Sequence, residues 1–149
     1  MNTTETTQRI TEIYGDGSDG SCPTPDQWRR VLDRDPDAAL TLINFFKFRD
    51  VADYTDDRQS FDDMSGNAAF QRYADVSIPT MERSGGSFLL VAPCAGTFLG
   101  ADEDWDLIAI GSYPNQQAFL NLYLDDAYIA AFPHRAAAVA AQKVLIATP

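Results

Sequence analysis

The chain has 149 residues, with 11 Lys and Arg set against 22 Asp and Glu, for a formal charge of -11. Its hydrophobic fraction of 45% and mean hydropathy of -0.24 are those of an ordinary globular domain. So acidic a chain lacks the basic face that nucleic acid or an anionic membrane surface requires, and no run of about 18 apolar residues offers a membrane span.

The first 20 residues have no basic start followed by an apolar stretch, so no secretory leader is expected and the cytoplasm is the expected location. Residues 1–21 are rich in Thr, Gly and Asp and read as a flexible N-terminal tail, with Ile10, Ile13 and Tyr14 able to anchor a short turn. A single domain is expected over 22–149. Thr24-Pro25-Asp26 has the form of a helix start: a capping hydroxyl, a proline in the first turn and an acidic residue. That helix presents Trp28, Val31 and Leu32 on one face and ends before Asp35-Pro36.

Leu40 to Phe48 is the first strand, apolar on both faces, as a strand covered on both sides would be. An acidic loop follows over 49–63, long enough to act as a lid. Its Asp53, Asp56, Asp57, Asp62 and Asp63 have no calcium-loop spacing and read as a solvated surface. Ser65-Gly66-Asn67 opens a helix whose stripe is Phe70, Tyr73, Ser77 and Met81. Pro79 interrupts its hydrogen bonding and Gly85-Gly86 ends it. The second strand is Ser87 to Ala92; Pro93 marks it as an edge or a bulge, and Gly96–Leu99 offers a continuation.

Trp105 to Tyr113 is the third strand. Pro114-Asn115 starts a helix with Phe119, Leu122 and Tyr123, and Asp125-Asp126 breaks it. A further helix carries Tyr128, Ile129, Phe132, Arg135 and Val139, and Lys143 to Ala147 is the last strand. The order after the first helix is therefore β-α-β-β-α-β, an α+β, ferredoxin-like arrangement with an extra N-terminal helix. Such a sheet has helices on one face only. The other face here is apolar whichever parity it takes, and each buried large side chain is worth about 1.5–3 kcal/mol. A second copy stacked on that face, as a homodimer, is the expected cover.

Within this frame a few residues stand out. Asn44 is an amide at the centre of an apolar strand; it either orients a substrate carbonyl or enolate or bonds to backbone or a dimer mate. Ala109 and Gly111, between Trp105 and Tyr113, leave room for a cavity walled by aromatic rings, or for close approach of a helix. Tyr73 and Tyr113 offer hydroxyls to a ligand or pack with them at the rim. His134, the only histidine, is the candidate acid/base. Arg135 beside it is suited to clamp an anion or to pair with an acid. About 100° separates neighbouring side chains on a helix, so His134 and Arg135 are not expected to face one ligand together. Asp106 is within reach of either Arg135 or Lys47. One histidine and two cysteines, Cys22 and Cys94, leave no zinc set, and free thiols are expected. No phosphate loop, GxGxxG or nucleophile elbow is present, so no cofactor is expected.

The stretch Leu42-Ile43-Asn44-Phe45-Phe46-Lys47-Phe48-Arg49 resembles the first strand of DUF1330-like proteins, with Asn44-Phe45-Phe46 where the common pattern is Asn-Leu-Leu. Tyr73, Gly85-Gly86, Trp105-Asp106, Tyr113-Pro114, Asp126-Ala127-Tyr128 and His134-Arg135 follow in the family's order. The resemblance spans roughly Trp28 to the C-terminus and implies the dimeric α/β barrel superfamily. Its implied functions centre on a cofactor-independent enzyme for cyclisation, isomerisation or elimination on an aromatic or polyketide-like carbonyl compound. His134 would then be the acid/base, Asn44 would hold an enolate and Arg135 would orient an anionic group, with Tyr73, Trp105, Tyr113, Ala109 and Gly111 forming the substrate site. The alternative is a noncatalytic dimer that binds a small ligand. A remoter one is a monooxygenase, cofactor-free or heme-dependent, with Asn44, Trp105 and His134 as the heme-associated set.

Overall fold

The computed structural model describes residues 2–54 and 63–149. Its elements run α1 (Thr3–Tyr14), α2 (Pro25–Leu32), β1 (Leu40–Phe48), α3 (Gly66–Ser84), β2 (Ser87–Pro93), β3 (Leu107–Tyr113), α4 (Gln116–Tyr123), α5 (Asp126–Ala138) and β4 (Val139–Ala147). The strands form one antiparallel sheet in the order β2-β3-β1-β4, as the β-α-β-β-α-β reading implies. Asp56, Asp57, Phe61 and Asp62 of the acidic loop lie outside the described residues. Among the described residues no helix is long and apolar enough to cross a membrane.

Local chemistry accounts for the element ends. The Thr24 hydroxyl accepts from Gln27 N and the Gln27 side chain accepts from Thr24 N, a reciprocal cap in front of Pro25. Ser65, Asn115 and Asp125 cap α3, α4 and α5 in the same sense. Gly85 closes α3 in a left-handed conformation, φ +103°. Pro93 pairs within β2, which is tolerated because β2 is an edge strand. The strand limits differ modestly from the sequence reading. β3 begins at Leu107 rather than Trp105, β4 begins at Val139, and residues 96–99 form a loop with Phe98 and Leu99 exposed.

The N-terminal segment departs most from its composition. Residues 3–14 form a helix where a flexible tail is expected from the sequence. Asn2 and Glu5 cap it reciprocally. Ile10 is fully buried, and the Tyr14 hydroxyl donates to Tyr123 O at 2.6 Å. Only a few residues carry this docking, so the polar majority conceals it. The connection to α2 turns through Gly17 and Gly20, both at positive φ. A Cβ on Gly17 would lie 2.6 Å from backbone atoms of Cys22 and Pro23, so only glycine fits there.

Alternation along the strands divides the sheet into two faces. Leu42, Phe46, Ala109 and Tyr113 face the helices and join the core with Tyr73, Phe119, Tyr128 and Phe132. The opposite face presents Ile43, Phe45, Ile108 and Ile110 half-buried, with Leu90 and Leu145 exposed.

Truncating Ile10 to alanine tests whether α1 is integral to this core. Ile10→Ala is expected to lower unfolding free energy by about 2–5 kcal/mol, read as a lower urea midpoint with unchanged slope. A change below about 0.5 kcal/mol would show that α1 adds no core.

Candidate functional site

A cavity of about 230 Å³ lies between the inner face of the sheet and α3 and α5. Strand parity places Asn44 and Phe46 of β1 and Ala109, Gly111 and Tyr113 of β3 along its floor. Tyr73 from α3 and Arg135 and Tyr128 from α5 complete the part that carries polar chemistry. The small pair on β3 works in two ways. Ala109 leaves space, while a Cβ on Gly111 would stand 2.9 Å from Met81 Cε, so the helix approaches closely there.

Arg135 is the only charged residue among the described residues lining this cavity, and it is 7% exposed. Its Nε and Nη2 donate to Gln142 Oε1 at 3.2 and 3.0 Å, and its Nη1 donates to Tyr73 Oη at 3.2 Å. Gln142 is oriented in turn, since its Nε2 donates to Gly20 O at 2.9 Å. The guanidinium lies over the Phe46 ring at 4.8 Å, a contact that offsets part of its desolvation. No carboxylate pairs with it among the described residues. A guanidinium has five N–H donors; three are engaged in these bonds, and the Tyr123 hydroxyl is a further hydrogen-bond partner.

The Tyr73 and Tyr128 hydroxyls are 2.6 Å apart, and Tyr123 hydrogen-bonds to Tyr128 in turn. Burial, followed by the neighbouring Tyr123 and Tyr73 hydroxyls, holds the Tyr128 phenol well above its usual pKa, so it stays protonated. Asn44 Nδ2 donates to Ala109 O at 3.0 Å and more weakly to Leu42 O at 3.4 Å. This structural role fixes the amide, because only its nitrogen end can face two carbonyls, and it leaves Oδ1 as an acceptor. The polar groups of the site are thus a guanidinium, a set of buried phenols and the Asn44 acceptor, in a cavity that is otherwise mostly apolar.

Of the residues that the sequence singles out, Asn44, Tyr73, Ala109, Gly111, Tyr113 and Arg135 line this one cavity. Trp105 and His134 do not. Trp105 precedes β3, so strand alternation does not govern it; its ring lies 5.9 Å from Phe45, on the opposite face of the sheet. His134 Nδ1 is 2.6 Å from the Tyr54 hydroxyl. Asn44, Trp105 and His134 therefore do not meet, and these residues do not fit the heme-associated arrangement. Among the described residues no group of three His, Cys, Asp or Glu side chains could hold a metal ion. Asp106 is claimed by Lys47, at 3.3 Å, and by Phe48 N, at 2.8 Å, rather than by Arg135. Gln142 was not anticipated from sequence; its only signal is a polar residue at an inward position of the last strand.

Burial, and next the Arg72 cation, hold the His134 imidazole below its usual pKa. The unfolded chain therefore binds this proton at higher pH than the native one. Stability is expected to fall as pH drops through the ordinary histidine value of about 6.5. Urea midpoints measured from about pH 8 to pH 5 are expected to show a shallower fall in His134→Gln. Parallel curves for the two proteins would remove His134 as the source.

Comparison with known proteins follows from this fold. The family model described as "Domain of unknown function (DUF1330)" matches residues 59–149, more than half of the chain. A crystal structure of a Rhodopseudomonas palustris protein of unknown function, RPA0582, aligns with a TM-score of 0.76 at 28% identity, covering 86% of this chain and 95% of that one. A structure of methylated RPA0582 aligns with a TM-score of 0.77 at 29% identity, covering 86% and 93%. No curated protein matches.

Proposed function

Since the chain belongs to the DUF1330 family, whose description assigns no reaction, we propose its function from its own cavity: it binds a small molecule with an anionic group, such as a carboxylate or enolate, on an apolar body. The observation that carries this reading is Arg135, a nearly buried guanidinium with only neutral partners among the described residues. Burying a charge without a counter-charge is unfavourable by several kcal/mol, and a bound anion supplies what is missing. The phenols of Tyr73 and Tyr128 are polar neighbours for the anion, and Asn44 Oδ1 offers an acceptor for a hydroxyl or N–H elsewhere on the ligand. The geometry lends less to an acid/base enzyme built on His134, because that imidazole is engaged with Tyr54 and does not line the cavity.

Benzoate and its neutral isostere benzamide separate charge recognition from simple filling of the cavity. By calorimetry benzoate is expected to bind at least about tenfold tighter, the equivalent of roughly 1.4 kcal/mol from charge-assisted hydrogen bonds. Arg135→Met is expected to abolish that preference, with circular dichroism showing that the fold is retained despite the lost hydrogen bonds to Gln142 and Tyr73. Equal affinity for the two probes would sink the reading.

The outer face of the sheet belongs to the same proposal. Ile43, Phe45, Ile108, Ile110, Leu90 and Leu145 form an apolar face that no helix among the described residues covers. Its rim carries both signs of charge, with Lys143 bonded to Glu103 and Lys47 to Asp104, so two identical faces can complement each other across a twofold axis. A second copy stacked there would complete the dimeric α/β barrel. Native mass spectrometry is expected to give twice the chain mass, and Leu145→Asp to shift the population to single chains. A single chain at micromolar concentration in the unmutated protein would refute the pairing.

A further inference from the structure

The cavity between α3 and the sheet holds a polar side chain that anion binding at Arg135 leaves unused. Ser77 of α3 lines this cavity and is 5% exposed. Hydroxyls on helices commonly donate to the carbonyl four residues back. On the same helix Thr80 does so, to Val76 O at 2.7 Å, and Ser84 does so, to Thr80 O at 2.8 Å. The Ser77 hydroxyl has no such bond, nor any other with the described residues. Buried polar groups are nearly always paired, so this one is in want of a partner within the cavity. Asn44 Oδ1 is in the same state. Its amide nitrogen is held by Ala109 O and Leu42 O, which fixes the group, and no described donor reaches the oxygen.

Packing sets these two groups at one level of the cavity. Phe70 of α3 rests on Phe46 of β1, with ring centroids 4.8 Å apart. At the other end of the helix, Met81 Cε stands 2.9 Å from where a Cβ on Gly111 would be, and Gly111 pairs with Leu42. The helix therefore follows the inward row Phe46, Asn44, Leu42. Between Phe70 and Met81 its buried cavity residues are Tyr73 and Ser77, one turn apart, and they pass over the middle of that row. The middle is Asn44, paired with Ala109, whose small side chain leaves the space open. The Arg135 guanidinium lies at the Phe46 level, 4.8 Å from that ring. Two residues along a strand are about 6–7 Å, so the cation and the Ser77–Asn44 level are separated by roughly the length of a para-substituted benzene ring.

We propose that the ligand is an aromatic acid with a hydroxyl group para to its carboxylate, and that Ser77 and Asn44 select that hydroxyl; this rests on the anion site at Arg135. The hydroxyl donates to Asn44 Oδ1 and accepts from the Ser77 hydroxyl. A carbonyl or ether oxygen has no proton for Asn44, whose free end only accepts. An N–H group satisfies Asn44 but gives the Ser77 proton no good acceptor. Only a hydroxyl answers both. A site built to bond a ligand hydroxyl rejects the analogue without it, because its own buried polar groups are then left unpaired.

Calorimetric titration of the full chain with four acids tests this: benzoate, 4-hydroxybenzoate, 2-hydroxybenzoate and 4-methoxybenzoate. The 2-hydroxyl bonds to its own carboxylate and lies too near it to reach Ser77, and the methoxy oxygen cannot donate. 4-Hydroxybenzoate is expected to bind at least about fivefold tighter than benzoate, and the other two no tighter than benzoate. Ser77→Ala places the best helix former on α3. It is expected to bring 4-hydroxybenzoate within about twofold of benzoate while leaving benzoate itself unchanged, an outcome that a merely structural serine would not give. No gain for 4-hydroxybenzoate, an equal gain for the 2-hydroxy or 4-methoxy compound, or an equal effect of Ser77→Ala on both acids would overturn the hydroxyl subsite. If benzoate still outbinds benzamide in those cases, the anion site at Arg135 stands without it. Loss of the benzoate preference itself would overturn both.

Discussion

The guanidinium of Arg135 sits where most of the structure meets. It leaves α5 at a position that faces inward, lies over Phe46 of β1, donates to Tyr73 of α3 and grips Gln142 of β4. Gln142 passes the connection on to the carbonyls of Gly20 and Ser21 in the turn behind α1. One side chain thus links two helices, two strands and the N-terminal turn. A charged group is a costly choice for such a hub, because desolvating an ion is expensive unless a counter-ion repays it. Neutral acceptors and the faces of Phe46, Tyr73 and Phe132 repay part of it. Among the described residues no carboxylate repays the rest.

The two faces of the sheet show the other constraint. A strand has a period of two, so β1 sends Leu42, Asn44 and Phe46 to the helices and Ile43, Phe45 and Lys47 outward. Both sets are largely apolar, and helices are available for only one. The charges on the outer face are kept to its edge and neutralised in place: Lys47 by Asp104 and Asp106, Lys143 by Glu103. Asp106 also accepts from Phe48 N, which ties the entrance of β3 to the end of β1. That rim leaves the centre of the face free of charge, in a protein whose total charge would otherwise keep copies apart.

How far the sequence was legible depended on whether periodicity or packing decided the matter. Periodicity places Asn44, Ala109, Gly111 and Tyr113 on one face, and the stripe on α3 adds Tyr73; all five line one cavity. The helical angle between His134 and Arg135 separates them, and the structure sends one to Tyr54 and the other to the cavity. Strand parity does not reach Trp105, which precedes β3 in residues whose direction the loop sets. The helix at 3–14 was missed for a different reason. Its tertiary anchors, Ile10 and Tyr14, are few, and tertiary packing overrides a composition that favours coil. Gln142 was invisible because its role depends on what Arg135 needs, which no local pattern records.

Among the described residues no carboxylate stands beside Arg135, which bears on function and stability at once. An acid in that position would neutralise the guanidinium and stabilise the resting protein, and it would also close the site to any anionic ligand. With Gln142 and Tyr73 in its place, the cation is oriented without being neutralised. A ligand that binds only the folded state raises stability by an amount that grows with the logarithm of its concentration over its dissociation constant, so an anion paired with this cation would stabilise the fold. Arg135 therefore joins the elements around it and, in the proposed anion site, is oriented by partners that leave its charge intact.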